Sequence, residues 1–156
     1  MPSFLIHLGV DDCYRVPVLR ESGFFVEECH SVRQLHSTLM RFPQPDAVAI
    51  AESDEIEAKE AVFLVRKSDR TAPLVLFQGR NRCFETSGFN LVVPPLTDPL
   101  VWLSDLVSLI ERHRTLRGQS NSIRAQSTHL QSGLAKVARK ARPGGSAVRV
   151  SQPSAD

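Results

Sequence analysis

Five short apolar runs mark the first hundred residues, separated by amphipathic or turn-rich stretches. The most telling is Pro45-Asp46-Ala47-Val48-Ala49-Ile50-Ala51-Glu52. It is apolar at every position from Ala47 to Ala51 rather than at alternate ones, which suits a strand buried on both faces. Such strands lie inside parallel sheets covered by helices, and in open sheets of that kind chemistry sits at the carboxyl ends of the central strands. Here that end reads Ile50-Ala51-Glu52-Ser53, followed by Asp54, Glu55 and Glu57.

In chain order, Phe4 to Val10 predicts a first strand that ends at Asp11-Asp12. A short helix is expected within Val16 to Ser22, with Pro17 in its first turn, where its missing N–H is no loss. Gly23 ends that helix, and Phe24 to Cys29 predicts a second strand. Ser31 then caps an amphipathic helix whose inward face is Val32, Leu35, Leu39, Met40 and Phe42. Pro43 and Pro45 stop it before the central strand. Glu55 to Lys67 predicts a third helix with Ile56, Ala61, Val62, Leu64 and Val65 inward, and Pro73 to Phe77 a fourth strand ahead of Gln78-Gly79. Arg80 to Phe89 predicts a short or irregular helix. Leu91-Val92-Val93 is the fifth strand, closed by Pro94-Pro95, and Asp98 or Thr97 caps a last helix from Pro99. The alternation is (βα)5, an α/β fold with a doubly wound five-stranded parallel sheet and right-handed crossovers.

The last helix outruns that domain. Trp102, Leu109, Leu116, Ile123, Leu130 and Val137 recur every seven residues, a coiled-coil signal weakened by polar residues at the companion positions Ser120 and Ser127. Two readings stay open. The column pairs two copies into a weak homodimer, or the helix is a solvated arm that frays beyond Arg117, as Gly118 would favour at a cost of about 1 kcal/mol. Trp102 either anchors that interface or packs against the sheet. The expected organisation is a domain over 1–114, a basic helical extension over 115–142 and a disordered tail over 143–156, which opens with Pro143-Gly144-Gly145.

Charge sharpens this division. Residues 1–111 hold ten Lys and Arg against sixteen Asp and Glu, a net of −6, whereas residues 112–156 hold nine against Asp156 alone, a net of +8. Arg124, Lys136, Arg139, Lys140 and Arg142 make nucleic-acid binding by the tail the alternative function, although the tail has no aromatic residue for base stacking. No apolar run approaches the roughly 20 residues of a membrane span, so no membrane partner is expected. There is no signal-peptide pattern at the start, and Cys13, Cys29 and Cys83 form no CxxC, so a cytoplasmic protein with reduced thiols is expected. Cys29-His30 and His36 lack metal-ligand spacing, His7 reads as a satisfied core histidine, and no nucleophile–base set presents itself. An enzyme is not expected.

Val10-Asp11-Asp12, Gly23-Phe24-Phe25-Val26, the central strand, Pro73 to Phe77 and Val93-Pro94-Pro95-Leu96 together resemble the receiver domain of two-component response regulators over about residues 3–114. The resemblance implies the CheY-like, flavodoxin-like strand order 2-1-3-4-5 and a partner protein in a signalling pathway. It also implies phosphoryl transfer to an aspartate ending the third strand, with Mg²⁺ held by an acidic pair, and a Ser or Thr and a Lys touching the phosphoryl group. Carried over by position, only Asp11 and Asp12 remain. The acceptor position is Ala51, the Ser/Thr position Gln78 and the Lys position Pro94. A methyl, a carboxamide and a pyrrolidine offer no phosphorylatable carboxylate and no cation. The expectation is therefore a degenerate pseudo-receiver that acts through protein contacts, without a cofactor. Two carboxylates alone make a weak Mg²⁺ site. Glu52 keeps a further alternative open, since a shift of one residue would make it a displaced acceptor in a phosphorelay, a metal ligand with Asp11 and Asp12, or a fixed stand-in for the phosphorylated state. Otherwise it reads as a solvated loop acid.

Overall fold

The computed structural model of the chain describes residues 2–52, 55–79 and 86–140. The elements run β1 (Phe4–Leu8), α1 (Arg15–Glu21), β2 (Phe25–Cys29), α2 (Val32–Arg41), β3 (Ala47–Ala51), α3 (Glu55–Ser68), β4 (Leu74–Phe77), β5 (Leu91–Val93) and α4 (Pro99–Lys140). All strand pairings are parallel and the order is β2-β1-β3-β4-β5. The expected strand order is therefore present, and the alternation with it except between β4 and β5, with element ends moved by a residue or two.

Strand alternation divides the core into two layers. Leu5, Ala47, Ala49, Val75 and Phe77 face α1 and α4, where Val16, Leu19, Trp102, Leu106 and Ile110 close on them. Ile6, Leu8, Val48, Ile50 and Leu74 face α2 and α3, against Leu35, Leu39, Ala61 and Val65. Every residue of β3 is buried, as a strand covered on both sides requires. The Ser31 hydroxyl accepts the Gln34 N–H at 3.2 Å and Asp98 caps α4 by accepting the Leu100 N–H at 2.8 Å, so Asp98 rather than Thr97 is the cap.

Several expectations are corrected. Met40 lies outward and Thr38 takes the inward place, its hydroxyl 3.4 Å from the buried Cys29 thiol. A three-to-four residue spacing from Leu35 reaches Thr38 and Leu39 and carries Met40 past the buried stripe. The helix expected over residues 80–89 falls mostly outside the described residues, and residues 86–90 form a turn. The chain divides into two units at Arg117–Gly118. In the first unit α4 is fastened by two ion pairs. Arg114 grips Asp46 through Nε and Nη2 at 2.8 and 2.7 Å, and Arg117 meets Asp69 at 2.8 Å. In the second unit residues 118–140 are helical throughout and exposed at every position, so the helix does not end near Arg117.

Candidate functional site

The carboxyl ends of β1, β3 and β4 converge, as the topology demands, on Asp11, Asp12, Ala51, Glu52 and Gln78, which line one small pocket. β1 leaves the sheet through Gly9 at φ 102, where a Cβ would lie 3.2 Å from both the Cβ and the carbonyl oxygen of Ala51. Only glycine fits there, and its close approach helps shut the pocket from the β1 side. About 10 Å³ remains, room for one water at most.

Asp11 is engaged by the backbone of α1. Its Oδ1 accepts the Arg15 N–H at 2.9 Å and its Oδ2 the Val16 N–H at 2.7 Å, so both oxygens cap the first turn of α1. Tyr14 makes that cap possible by turning left-handed at φ 55. Asp12 is exposed beside it.

The residue that sequence reasoning missed is Arg15. It is 6% exposed, and its guanidinium lies across the ends of β4 and β5. Nη1 and Nη2 each donate to the Gln78 carbonyl at 3.2 Å, and Nη2 also reaches the carbonyls of Pro94 at 3.0 Å and Val93 at 3.4 Å. The cation sits 4.8 Å from the centre of the Phe77 ring, which meets Trp102 edge-on at 5.6 Å. Burial lowers the Arg15 pKa, offset in part by the Cys13 and Asp11 charges. A positive charge now holds the strand ends whose side chains, Gln78 and Pro94, carry none. One clue was present in the sequence. An arginine opening a helix stands at the wrong end of the helix dipole, so something other than the helix must hold it there.

Glu52 is also not where a solvated loop acid would be. It is 6% exposed and its Oε2 accepts the Gly79 N–H at 2.8 Å, joining the end of β3 to the end of β4. The Glu52 N–H binds the Phe77 carbonyl at 2.9 Å, which continues the β3–β4 ladder and carries the glutamate into the pocket wall. Arg80, Asn81 and Arg82, weighed as a rim of this pocket, lie outside the described residues. The position ending β3 carries the Ala51 methyl, Asp11 accepts two backbone N–H groups, and no group of three His, Cys, Asp or Glu side chains is placed to hold a metal among the described residues.

His7 is buried but not satisfied, contrary to expectation. Neither ring nitrogen has a hydrogen-bond partner among the described residues, and the ring lies 6.0 Å from that of Phe77. Desolvation lowers its pKa against the opposing pull of Asp11 and Glu28.

The heptad column separates at Leu109. Trp102 is buried in the core and the half-buried Leu109 packs against it, while Leu116, Ile123, Leu130 and Val137 are exposed. Arg124, Lys136, Arg139 and Lys140 are exposed on the same helix, and Arg142 lies outside the described residues. No helix among the described residues is long and apolar enough to cross a membrane.

No family model matches the chain, and no curated protein matches it in sequence. Solved structures do match in shape. A response regulator receiver protein from Sinorhizobium medicae superposes with a TM-score of 0.58 at 12% identity, covering 72% of this chain and 97% of that one. The receiver domain of a sensor histidine kinase from Pseudomonas aeruginosa, solved with magnesium coordinated in its active-site cleft, gives 0.59 at 14% identity over 71% and 99%. A structure described as adenylate cyclase from Rhodopirellula baltica gives 0.65 at 8% identity over 80% and 98%. With its five parallel strands in the order 2-1-3-4-5 and its long final helix, the chain has the CheY-like fold of response regulator receiver domains.

Proposed function

We propose that this chain is a receiver-like signalling or scaffolding module that works through protein contacts and is not phosphorylated in the usual way. One observation carries the reading. At the end of β3, where the fold's chemistry would require a carboxylate, stands the Ala51 methyl, in a pocket left with about 10 Å³. The surrounding groups have other tasks. Asp11 caps α1, and Arg15 holds the backbone carbonyls at the ends of β4 and β5. These engagements support the reading that the pocket does not take a metal ion or an incoming phosphoryl group.

The test is incubation of the full chain with Mg²⁺ and acetyl phosphate, read by intact mass. The mass should not change. A gain of one phosphoryl group that disappears in Glu52→Gln would instead establish the displaced acceptor, since Glu52 directly follows the acceptor position Ala51 and lines the same pocket.

The extension supports a second role for the same module, weak pairing with another copy. Leu116, Ile123, Leu130 and Val137 keep a seven-residue spacing on an exposed helix, which suits a partner helix wound around it. Nucleic-acid contact by Arg124, Lys136, Arg139, Lys140 and Arg142 is the rival for this segment, and a steep loss of affinity with added salt would favour it.

A further inference from the structure

Within the second unit, residues 118–140 are helical and exposed at every position, with Ile123, Leu130, Leu134 and Val137 between 63% and 70% exposed. Two columns run side by side along this helix. Ile123, Leu130 and Val137 recur every seven residues, and Ser120, Ser127 and Leu134 stand three residues before each of them. The segment also carries Arg124, Lys136, Arg139 and Lys140 and no acidic residue.

We propose that these columns pair two copies of the chain as antiparallel helices, with Ser120 facing the partner's Val137, Ile123 the partner's Leu134 and Ser127 the partner's Leu130. This arrangement rests on the weak pairing proposed above and gives it a direction and a register. Packing selects the direction. In a parallel pair like meets like, so Ser120 and Ser127 would each face their own copy and leave two thin layers among thick ones of Ile123, Leu130 and Leu134. Reversed, each serine lies against a branched aliphatic side chain, and facing small and large residues fill the seam evenly. A covered serine needs no acceptor on the other helix, because its hydroxyl can return to the carbonyl four residues back, as the Thr128 and Ser132 hydroxyls do at 3.0 and 2.9 Å. A second copy is the occupant that fits, since the pattern complements its own reverse.

Charge selects the same direction. Paired helices lie about 8–10 Å apart. A parallel pair would therefore set two clusters of Lys136, Arg139 and Lys140 side by side, within the screening length of about 10 Å at 0.1 M salt. In the antiparallel register each cluster lies beside the partner's Gly118 to Asn121, which carry no charge. At 1.5 Å of rise per residue it then stands more than about 20 Å from the partner's own cluster. Arg124 flanks the partner's Gln131, whose carbonyl can accept from it.

Two measurements on the full chain test the direction. A spin label is placed at Ala138→Cys, with Cys13→Ser and Cys83→Ser removing two other thiols and Cys29 buried. The labels of a dimer should lie roughly 30 Å apart, because residue 138 of one copy is level with residue 119 of the other. A parallel pair would bring them to roughly 10 Å. Separately, Gln131→Glu gives each Arg124 a carboxylate across the seam and should lower the dimer dissociation constant by about threefold in sedimentation at 0.1 M salt. Gln126→Glu changes the net charge equally but faces the partner's Gly133, so it should gain clearly less. In a parallel pair positions 126 and 131 face each other, and the two variants would gain alike. A label separation near 10 Å, or equal gains from the two variants, would overturn the antiparallel register and leave the pairing standing. A parent chain that stays monomeric at millimolar protein in 1 M salt, where the screening length shrinks to about 3 Å, would refute the pairing and this register with it. The acetyl phosphate experiment tests the unphosphorylated reading independently of both.

Discussion

Replacing Arg15 with methionine keeps an apolar stem of similar reach and deletes only the guanidinium. Three carbonyls lose a donor, but not equally. The Val93 carbonyl still accepts the Gln78 N–H at 2.9 Å, and the Pro94 carbonyl still accepts the Thr97 hydroxyl at 2.8 Å. The Gln78 carbonyl, which takes both guanidinium contacts at 3.2 Å, is left without a donor. One orphaned carbonyl in a mostly buried place costs about 1–3 kcal/mol. Loss of the cation over Phe77 adds about 0.5–2 kcal/mol. Against these, the variant no longer buries a charge, a relief whose direction is visible in the lowered Arg15 pKa. The net expectation is a loss of about 2 kcal/mol, a large share of the 5–15 kcal/mol typical of a domain. Urea unfolding of the full chain, followed by circular dichroism, should show the midpoint falling by about 1 M with an unchanged slope. Arg15→Lys should fall between the two, because one ammonium cannot fork across carbonyls on two strands. A methionine variant as stable as the parent would refute the claim that this guanidinium ties α1 to β4 and β5.

Ala51→Asp should not recruit Mg²⁺, because Asp11 stays engaged on α1 and the new carboxylate shares its pocket with Arg15; calorimetry finding millimolar binding would show Asp11 to be available. His7→Leu should raise stability by about 1 kcal/mol, since it removes two unpartnered nitrogens from the core. With a folded pKa below its unfolded value of about 6.5, His7 leaves stability complete above that pH and erodes it as pH falls, so the gain from leucine should be larger at pH 5 than at pH 7.5 in urea midpoints. A destabilised leucine variant would mean that the ring has a partner. Asp46 is pushed up by burial but pulled further down by the Arg114 hydrogen bonds, the Phe4 N–H and the Arg114 and Arg117 charges, so its folded pKa is depressed. Its contribution is present above about pH 4 and lost as pH falls through the folded value. Asp46→Asn should cost about 1–2 kcal/mol at pH 7 and flatten the acid limb of the thermal midpoint against pH. An unchanged acid limb would place the titration elsewhere.

The succession of strands and helices and the two-sided burial of β3 were legible in the sequence because each rests on a local or periodic signal, whereas the strand order came from the resemblance to receiver domains. Ala47 to Ala51 is apolar at every position, glycines and prolines mark the strand and helix ends, and Ala51 carries no carboxylate wherever its neighbours lie. The heptad column was legible too, but not its division at Leu109. Periodicity reports a stripe and not what covers it, and the sheet takes Trp102 and Leu109 while leaving Leu116 onward uncovered. The roles of the charged residues were decided only by tertiary structure. Asp11 became a cap because Tyr14 turns left-handed, and Glu52 was drawn into the wall by the Gly79 N–H, a partner distant in sequence. Arg15 became the cation of the site because α1 opens just above the ends of β4 and β5, some 63 to 79 residues further along the chain. A side chain's charge is written in the sequence. Its partner depends on which strand ends the crossovers bring together, and that follows from packing.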